Sequence, residues 1–258
     1  KTELVSLFDN PHFANIAEQN GGAVRTAMAL HQRNPVFKRL AGHPRLLEPA
    51  QQIAGPTLYV QQVKVNVKAA FVGDLWQWHY DFATHHADDG VPQPRALNLH
   101  VFLDDVTEHN GPLYFVPGSH RLDSIFCQYN FGNLNPDGVE NVDQTDYDGI
   151  TDVQFPDIDA DPERYGVMSW DMQPGDCIAF NSRIMHGGSG KLDEDTELRV
   201  FTTKWLGDDV YINFRECGMD PDHSAVMKAQ GLKPGDRPGT DLYPRISTRD
   251  PLHDLKTI

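Results

Sequence analysis

"TLYVQQVKVNVKA", residues 57–69, alternates apolar Val63, Val65 and Val67 with polar Gln62, Lys64 and Asn66. Successive side chains of an extended chain point to opposite faces, so the pattern predicts a half-buried β-strand. Reading outward, "RALNLHVFLDDV" (95–106) alternates in the same way around Leu97, Leu99, Val101 and Leu103. "GPLYFVPGSH" (111–120), "GDCIAFNSRIMHGG" (175–188) and "LRVFTTKWLGDDVYI" (198–212) supply three further strands, divided by Gly, Pro, Asn and Asp turns. Many short strands without helices between them favour an antiparallel sandwich or barrel. Two short helices are predicted ahead of them. In "NPVFKRLAG" Asn34 is the cap, Pro35 opens the helix and Gly42 ends it; in "HPRLLEPAQQIAG" Pro44 opens, Leu46, Leu47, Ala50 and Ile53 form the apolar face, and Gly55 closes. The expected class is mainly β with flanking helices.

The 258 residues suit one large β-rich domain or two small ones. A formal net charge of -15 argues against nucleic acid and anionic membrane surfaces as partners. No apolar run approaches the roughly 18 residues that a bilayer span needs. Cys127, Cys177 and Cys217 are odd in number and widely spaced, which indicates neither a disulfide framework nor a CxxC zinc site, and a reducing cytoplasm is the simplest home. The chain opens on helix-forming residues with no introductory strand, which leaves room for a further segment before Lys1. One stretch stands apart: residues 137–163 hold ten Asp or Glu and no Lys or Arg. Its weak periodicity predicts a long acidic excursion between strands, an insert or lid spanning about 127–166.

The chemistry concentrates in "WQWHYDFATHHADDG", residues 76–90. His79 and Asp81 are two residues apart, so on a strand both point to one face. Far downstream, 186 − 79 = 107 residues on, an apolar strand delivers His186 beside Gly187 and Gly188. Two imidazoles and one carboxylate on one face leave three open positions on an octahedral ion, the facial triad of non-haem Fe(II) oxygenases. Thirteen residues beyond His186, Arg199 opens "LRVFTTKW", where a buried guanidinium can hold a carboxylate bidentately. The remaining histidines have simpler readings. His85, His86, His100 and His109 read as surface or hydrogen-bonded side chains, and Asp88 and Asp89 as a turn before Gly90 and Pro92.

With "WHYD", "NGPLYFVPGSH", "PGDCIAF" and "MHGGSG" as landmarks, the chain from about Arg25 onward resembles the phytanoyl-CoA dioxygenase superfamily of Fe(II)/2-oxoglutarate oxygenases. Within it, residues 61–120 are similar to bacterial hydroxylases of small polar molecules, of the ectoine, leucine and aminoethylphosphonate types. The resemblance implies a double-stranded β-helix (jelly-roll) core and a single dioxygenase domain over 1–258. By motif, His79, Asp81 and His186 are the iron ligands and Arg199 holds the distal carboxylate of 2-oxoglutarate. Asn66 and Asn98 line the cosubstrate site, and Ser189 in "HGGSG" supplies its hydroxyl. Gln62 matches a position near substrate, and His85 stands where ectoine hydroxylases carry a tryptophan. Arg25 joins these two as a polar group for substrate.

The implied chemistry couples decarboxylation of 2-oxoglutarate by O₂, giving succinate and CO₂, to hydroxylation of an aliphatic C–H. Asp81 occupies the position that related halogenases vacate for chloride, which favours hydroxylation. The expected partner is a small-molecule substrate, an amino acid or zwitterionic derivative, with the protein a monomer or homodimer. Two rivals stand beside this reading: the same cofactor chemistry on a larger natural-product or acyl substrate, and a non-enzymatic metal-binding jelly roll.

Overall fold

The computed structural model describes residues 16–19, 24–68, 76–79, 81, 95–122, 156–188, 197–212, 214, 224–241 and 243–247. Two short strands, β1 (Ile16–Gln19) and β2 (Val24–Ala27), precede three helices, α1 (Leu30–Arg33), α2 (Pro35–Ala41) and α3 (Pro44–Ala54). Strands β3 (Thr57–Lys68), β4 (Trp76–His79), β5 (Ala96–Phe102), β6 (Leu113–Phe115), β7 (Cys177–Asn181), β8 (His186–Gly188) and β9 (Leu198–Gly207) follow, then α4 (Ser224–Ala229) and β10 (Arg245–Ser247). Every named strand pairing is antiparallel. The larger sheet runs β1-β2-β3-β9-β5-β7 with β10 added to β3, and the smaller runs β4-β8-β6. This is the double-stranded β-helix expected from the sequence.

Local chemistry explains the helices. The Asn34 side chain accepts from the Val36 N–H, and Pro35 takes the first helical position, where a missing N–H costs nothing. Helix α3 starts at Pro44 after a His43 cap and ends at Gly55, whose φ of 100° suits glycine. Its buried face is Leu47, Ala50 and Ala54, whereas Ile53 is 54% exposed. The predicted apolar face was therefore rotated, and Ala54 takes the inner place assigned to Ile53. These helices cover the outer side of the larger sheet: Phe37, Ala41, Leu47, Ala50 and Ala54 pack on Val63, Val65, Val67, Leu97, Leu99, Phe201 and Trp205. Close approach is enforced at Gly207, where a Cβ would lie 2.6 Å from the Ala54 carbonyl oxygen and 2.9 Å from that of Arg95.

The other side of the larger sheet faces the smaller one. Phe102, Val106, Leu113, Phe115, Phe180, Leu198 and Val200 form the apolar part of that interior. Period two then decides every address on β9: Leu198, Val200, Thr202 and Lys204 point inward, while Arg199, Phe201, Thr203 and Trp205 point to the helices. On β3 the polar residues of the opening quotation, Gln62 and Asn66, are buried at 7% and 3% exposure, so its hydrophilic side faces the interior rather than solvent. The segment 175–188 divides into β7 and β8 through a turn in which the Ile184 N–H donates to the Asn181 carbonyl. That turn carries the chain from one sheet to the other and delivers His186.

Candidate metal centre

His79 ends β4, His186 opens β8, and the two stand opposite each other in the register of the smaller sheet. With Asp81 they form a cluster whose potential ligand atoms lie within 4.8 Å of one another. His79 Nε2 is 3.9 Å from Asp81 Oδ1, and His186 Nε2 is 3.6 Å from Asp81 Oδ2. Neighbouring ligands on a small octahedral ion sit roughly 3 Å apart, so modest closure completes the site. The His186 Nδ1–H donates to the Ile184 carbonyl at 2.9 Å, which leaves Nε2 as the lone-pair nitrogen turned toward Asp81. Burial lowers the His186 pKa against the opposing pull of Asp81 and that backbone bond, keeping the ring neutral. Phe115 stacks beside His186 at 6.0 Å and Phe180 meets it edge-on at 4.8 Å, walling the ring off from water.

Asp81 is held from the larger sheet. The Asn98 amide donates to Oδ2 at 2.5 Å, and its carbonyl accepts from the Ser182 hydroxyl at 3.1 Å. The Lys204 ammonium donates to Oδ1 at 2.6 Å. Burial alone would raise the Asp81 pKa, but Lys204 foremost, then His186, Lys64 and His79, hold it well below the usual carboxylate range. The inner wall behind the cluster is arranged in cross-strand rows: Gln62, Lys204 and Asn98; then Lys64, Thr202 and His100; then Asn66, Val200 and Phe102.

Most of the residues expected near the site reach it. Asn98 supports a metal ligand directly. Asn66 lines an interior cavity with His100, Phe102, Gly111, Leu113, Leu198 and Val200, and its carbonyl accepts from the Thr26 hydroxyl at 2.9 Å. Gln62 is in the inner wall, where Oε1 accepts from the Ala29 N–H at 2.8 Å. Two arginines are elsewhere. Arg199 donates from Nε and Nη2 to Asp104 at 2.8 and 2.5 Å, on the helix-facing side of β9. By strand parity it alternates with the inward residues Leu198 and Val200, so the structure does not bring it together with the three candidate ligands. Arg25 pairs with Val67 in register and so shares that outer side, with Glu197 Oε1 3.5 Å away. It does not line the interior. Ser189 and His85 lie outside the described residues, as does the acidic stretch up to residue 155. Its described end packs beside β4: Ile158 is buried in a cluster that Trp78 packs against, and Asp159 accepts from the Trp78 indole N–H at 2.8 Å, one residue before His79.

The reading of the sequence missed Lys204, Lys64, Thr202 and the interior role of His100. The signal was available in "VFTTKW", where a lysine at the inward parity of an apolar strand has no solvent to reach.

The phytanoyl-CoA dioxygenase (PhyH) profile matches residues 8–194. An ectoine dioxygenase of Sphingopyxis alaskensis is 33% identical over 178 residues, covering 69% of this chain and 56% of that protein. The chain thus spans little more than half the length of that relative. An L-proline trans-4-hydroxylase of Streptomyces griseoviridis is 45% identical over 106 residues, 41% of this chain and 40% of that one. The crystal structure of EctD from S. alaskensis with 2-oxoglutarate and 5-hydroxyectoine superposes with a TM-score of 0.62 at 26% identity, covering 82% of this chain and 68% of the other.

Proposed function

We propose that this chain, which belongs to the phytanoyl-CoA dioxygenase family, is an Fe(II)- and 2-oxoglutarate-dependent hydroxylase of a small polar molecule, an amino acid or zwitterionic derivative. The observation that carries the reading is the largely buried His79–Asp81–His186 cluster. Its donor set, two imidazoles and one carboxylate on one side, fits an Fe(II) ion, which His79, Asp81 and His186 would hold. Iron bound there supplies the redox chemistry that links decarboxylation of 2-oxoglutarate to oxygen insertion into a C–H bond.

The protein contributes placement. Ile184 fixes the tautomer of His186, Asn98 orients Asp81, and Phe115 and Phe180 exclude water from the ligand side. A polar inner wall of Gln62, Lys204 and Asn98 suits a substrate bearing charged or hydrogen-bonding groups more than a hydrocarbon chain. The likeness to an ectoine dioxygenase and an L-proline hydroxylase supports the same substrate class. The test is succinate release under Fe(II), O₂ and 2-oxoglutarate across free amino acids, betaines and ectoine, set against acyl-CoA thioesters and hydrophobic scaffolds. Turnover confined to the last two groups would remove the small-substrate reading and leave the cofactor chemistry intact.

A further inference from the structure

We propose that the substrate of this hydroxylase carries a carboxylate and that the Lys204 ammonium receives it, so that this cation selects acids over the matching amides. The inference rests on the hydroxylase reading above and narrows its substrate class. Lys204 projects from β9 to the inner face, in register with Gln62 on β3 and Asn98 on β5. It is 8% exposed, and its Nζ donates to Asp81 Oδ1 at 2.6 Å. An ammonium has three N–H donors and no acceptor. Among the described residues Asp81 is the one acceptor that Lys204 meets, which leaves further donors of a largely buried cation open to a ligand. Unmet donors on a buried charge are costly, and an acceptor brought by a ligand removes that cost.

The neighbours make that acceptor a carboxylate. Gln62 accepts the Ala29 N–H through Oε1, so its amide N–H₂ is what it can offer a ligand. Asn98 gives its amide to Asp81 and accepts the Ser182 hydroxyl with its carbonyl. The row of Gln62, Lys204 and Asn98 therefore presents donors and no spare acceptor. A substrate ammonium placed there would face a cation, whereas a carboxylate gains charge-assisted bonds. Lys64, in the next row, adds a second positive charge that acts on Asp81 and on His100. Proximity outweighs the formal net charge of -15, which is spread over the molecule and screened beyond about 8 Å, while Nζ acts at contact in a poorly solvated interior. A divalent ion held by Asp81 would compete with the ammonium for that carboxylate and increase the need for another anion beside it. Arg25, the other cation expected to orient substrate, lies on the outer side of the sheet with Glu197.

The experiment uses protein loaded with Mn(II), a redox-silent stand-in for iron, and with 2-oxoglutarate, so that calorimetry reads binding without turnover. The probes are free amino acids and betaines, each paired with its own carboxamide; L-proline and L-prolinamide are one such pair. In at least one pair the acid should bind, and its amide should bind roughly ten- to a hundred-fold more weakly. Lys204→Gln, which keeps N–H donors and loses the charge, should bring that acid and amide to within a few-fold of each other. Lys204→Arg should keep most of the preference. The ratio is the decisive reading, because a role limited to holding Asp81 would weaken acid and amide alike. Equal binding of acid and amide by the wild-type protein, or a ratio unchanged in Lys204→Gln, overturns the proposal and leaves the hydroxylase reading standing. If no member of any pair binds, the small-substrate reading falls and the proposal with it. Failure of 2-oxoglutarate to bind the Mn(II)-loaded protein would instead overturn the cofactor reading beneath both.

Discussion

Lys204 Nζ lies 2.6 Å from Asp81 Oδ1, so a cation from the larger sheet grips the one carboxylate among the three candidate iron ligands. The two side chains are 10% and 11% exposed, and no solvent is at hand to replace either partner. Removing the cation from such a pair strands a buried charge, at a cost of about 3 kcal/mol. Lys204→Met should therefore lower the melting temperature of the metal-free protein, and Mn(II), a redox-silent substitute for iron, should restore more of it than it adds to the wild type. An equal Mn(II)-induced shift in both proteins would show that the ammonium and the metal do not share Asp81.

His79→Ala and His186→Ala should each abolish iron-dependent succinate formation. Each removes one of two imidazoles, and His186 also carries the Ile184 bond that presents its free nitrogen. Iron content after anaerobic loading should fall in parallel. Full activity in either variant would remove this cluster from consideration.

Arg199 offers a contrasting case. Its three donated bonds to Asp104, one from the backbone and two from the guanidinium, tie β9 to the end of β5 outside the barrel. Arg199→Ala should cost roughly 1.5–3 kcal/mol of stability in denaturant titration, and Asp104→Asn should lose much of the same energy non-additively. The dissociation constant for 2-oxoglutarate should move little. A large rise in that constant with unchanged stability would return Arg199 to the cosubstrate.

Stability should also fall with acidification, and His31 supplies part of the slope. Burial foremost and Lys38 second bring its pKa down to about 4 from the ordinary 6.5. The unfolded chain therefore takes up this proton at a higher pH than the folded one. The contribution is intact above pH 6.5 and is lost progressively as pH falls toward 4, at about 1.4 kcal/mol per pH unit within that window. His100 and His186 are shifted in the same direction, so the measurement is the difference between wild type and His31→Gln. A variant with an identical pH slope would show that His31 is hydrated in solution.

What was legible in the sequence follows the strength of the local signals. Asn34, Pro35, Pro44 and Gly55 fixed two helices because caps and prolines act over a single turn. His79, Asp81 and His186 stood out because a same-face pair and a glycine-flanked histidine have few other uses. Strands β1, β2 and β10, three or four residues each, carry no alternation long enough to read and exist through their neighbours. The addresses of Arg199 and Arg25 are a question of parity that their motif does not carry: counting by twos from Trp205 puts Arg199 on the helix-facing side, and register with Val67 puts Arg25 there too. His100 looked ordinary because nothing in a sequence tells an orphaned nitrogen from a satisfied one.

Among the described residues, strand β4 meets β8 through two register pairs, Trp76 with Gly188 and His79 with His186, and the ladder is irregular between them. One of those pairs is also the pair of imidazoles that would share an ion. The metal would then act as a rivet through an irregular seam of the barrel, joining residues 107 positions apart in the chain. An ion held there would couple metal loading to the stability of this edge, since its ligands come from both sides of the seam. The Trp78–Asp159 bond brings a second segment of the chain to the same strand, one residue from His79.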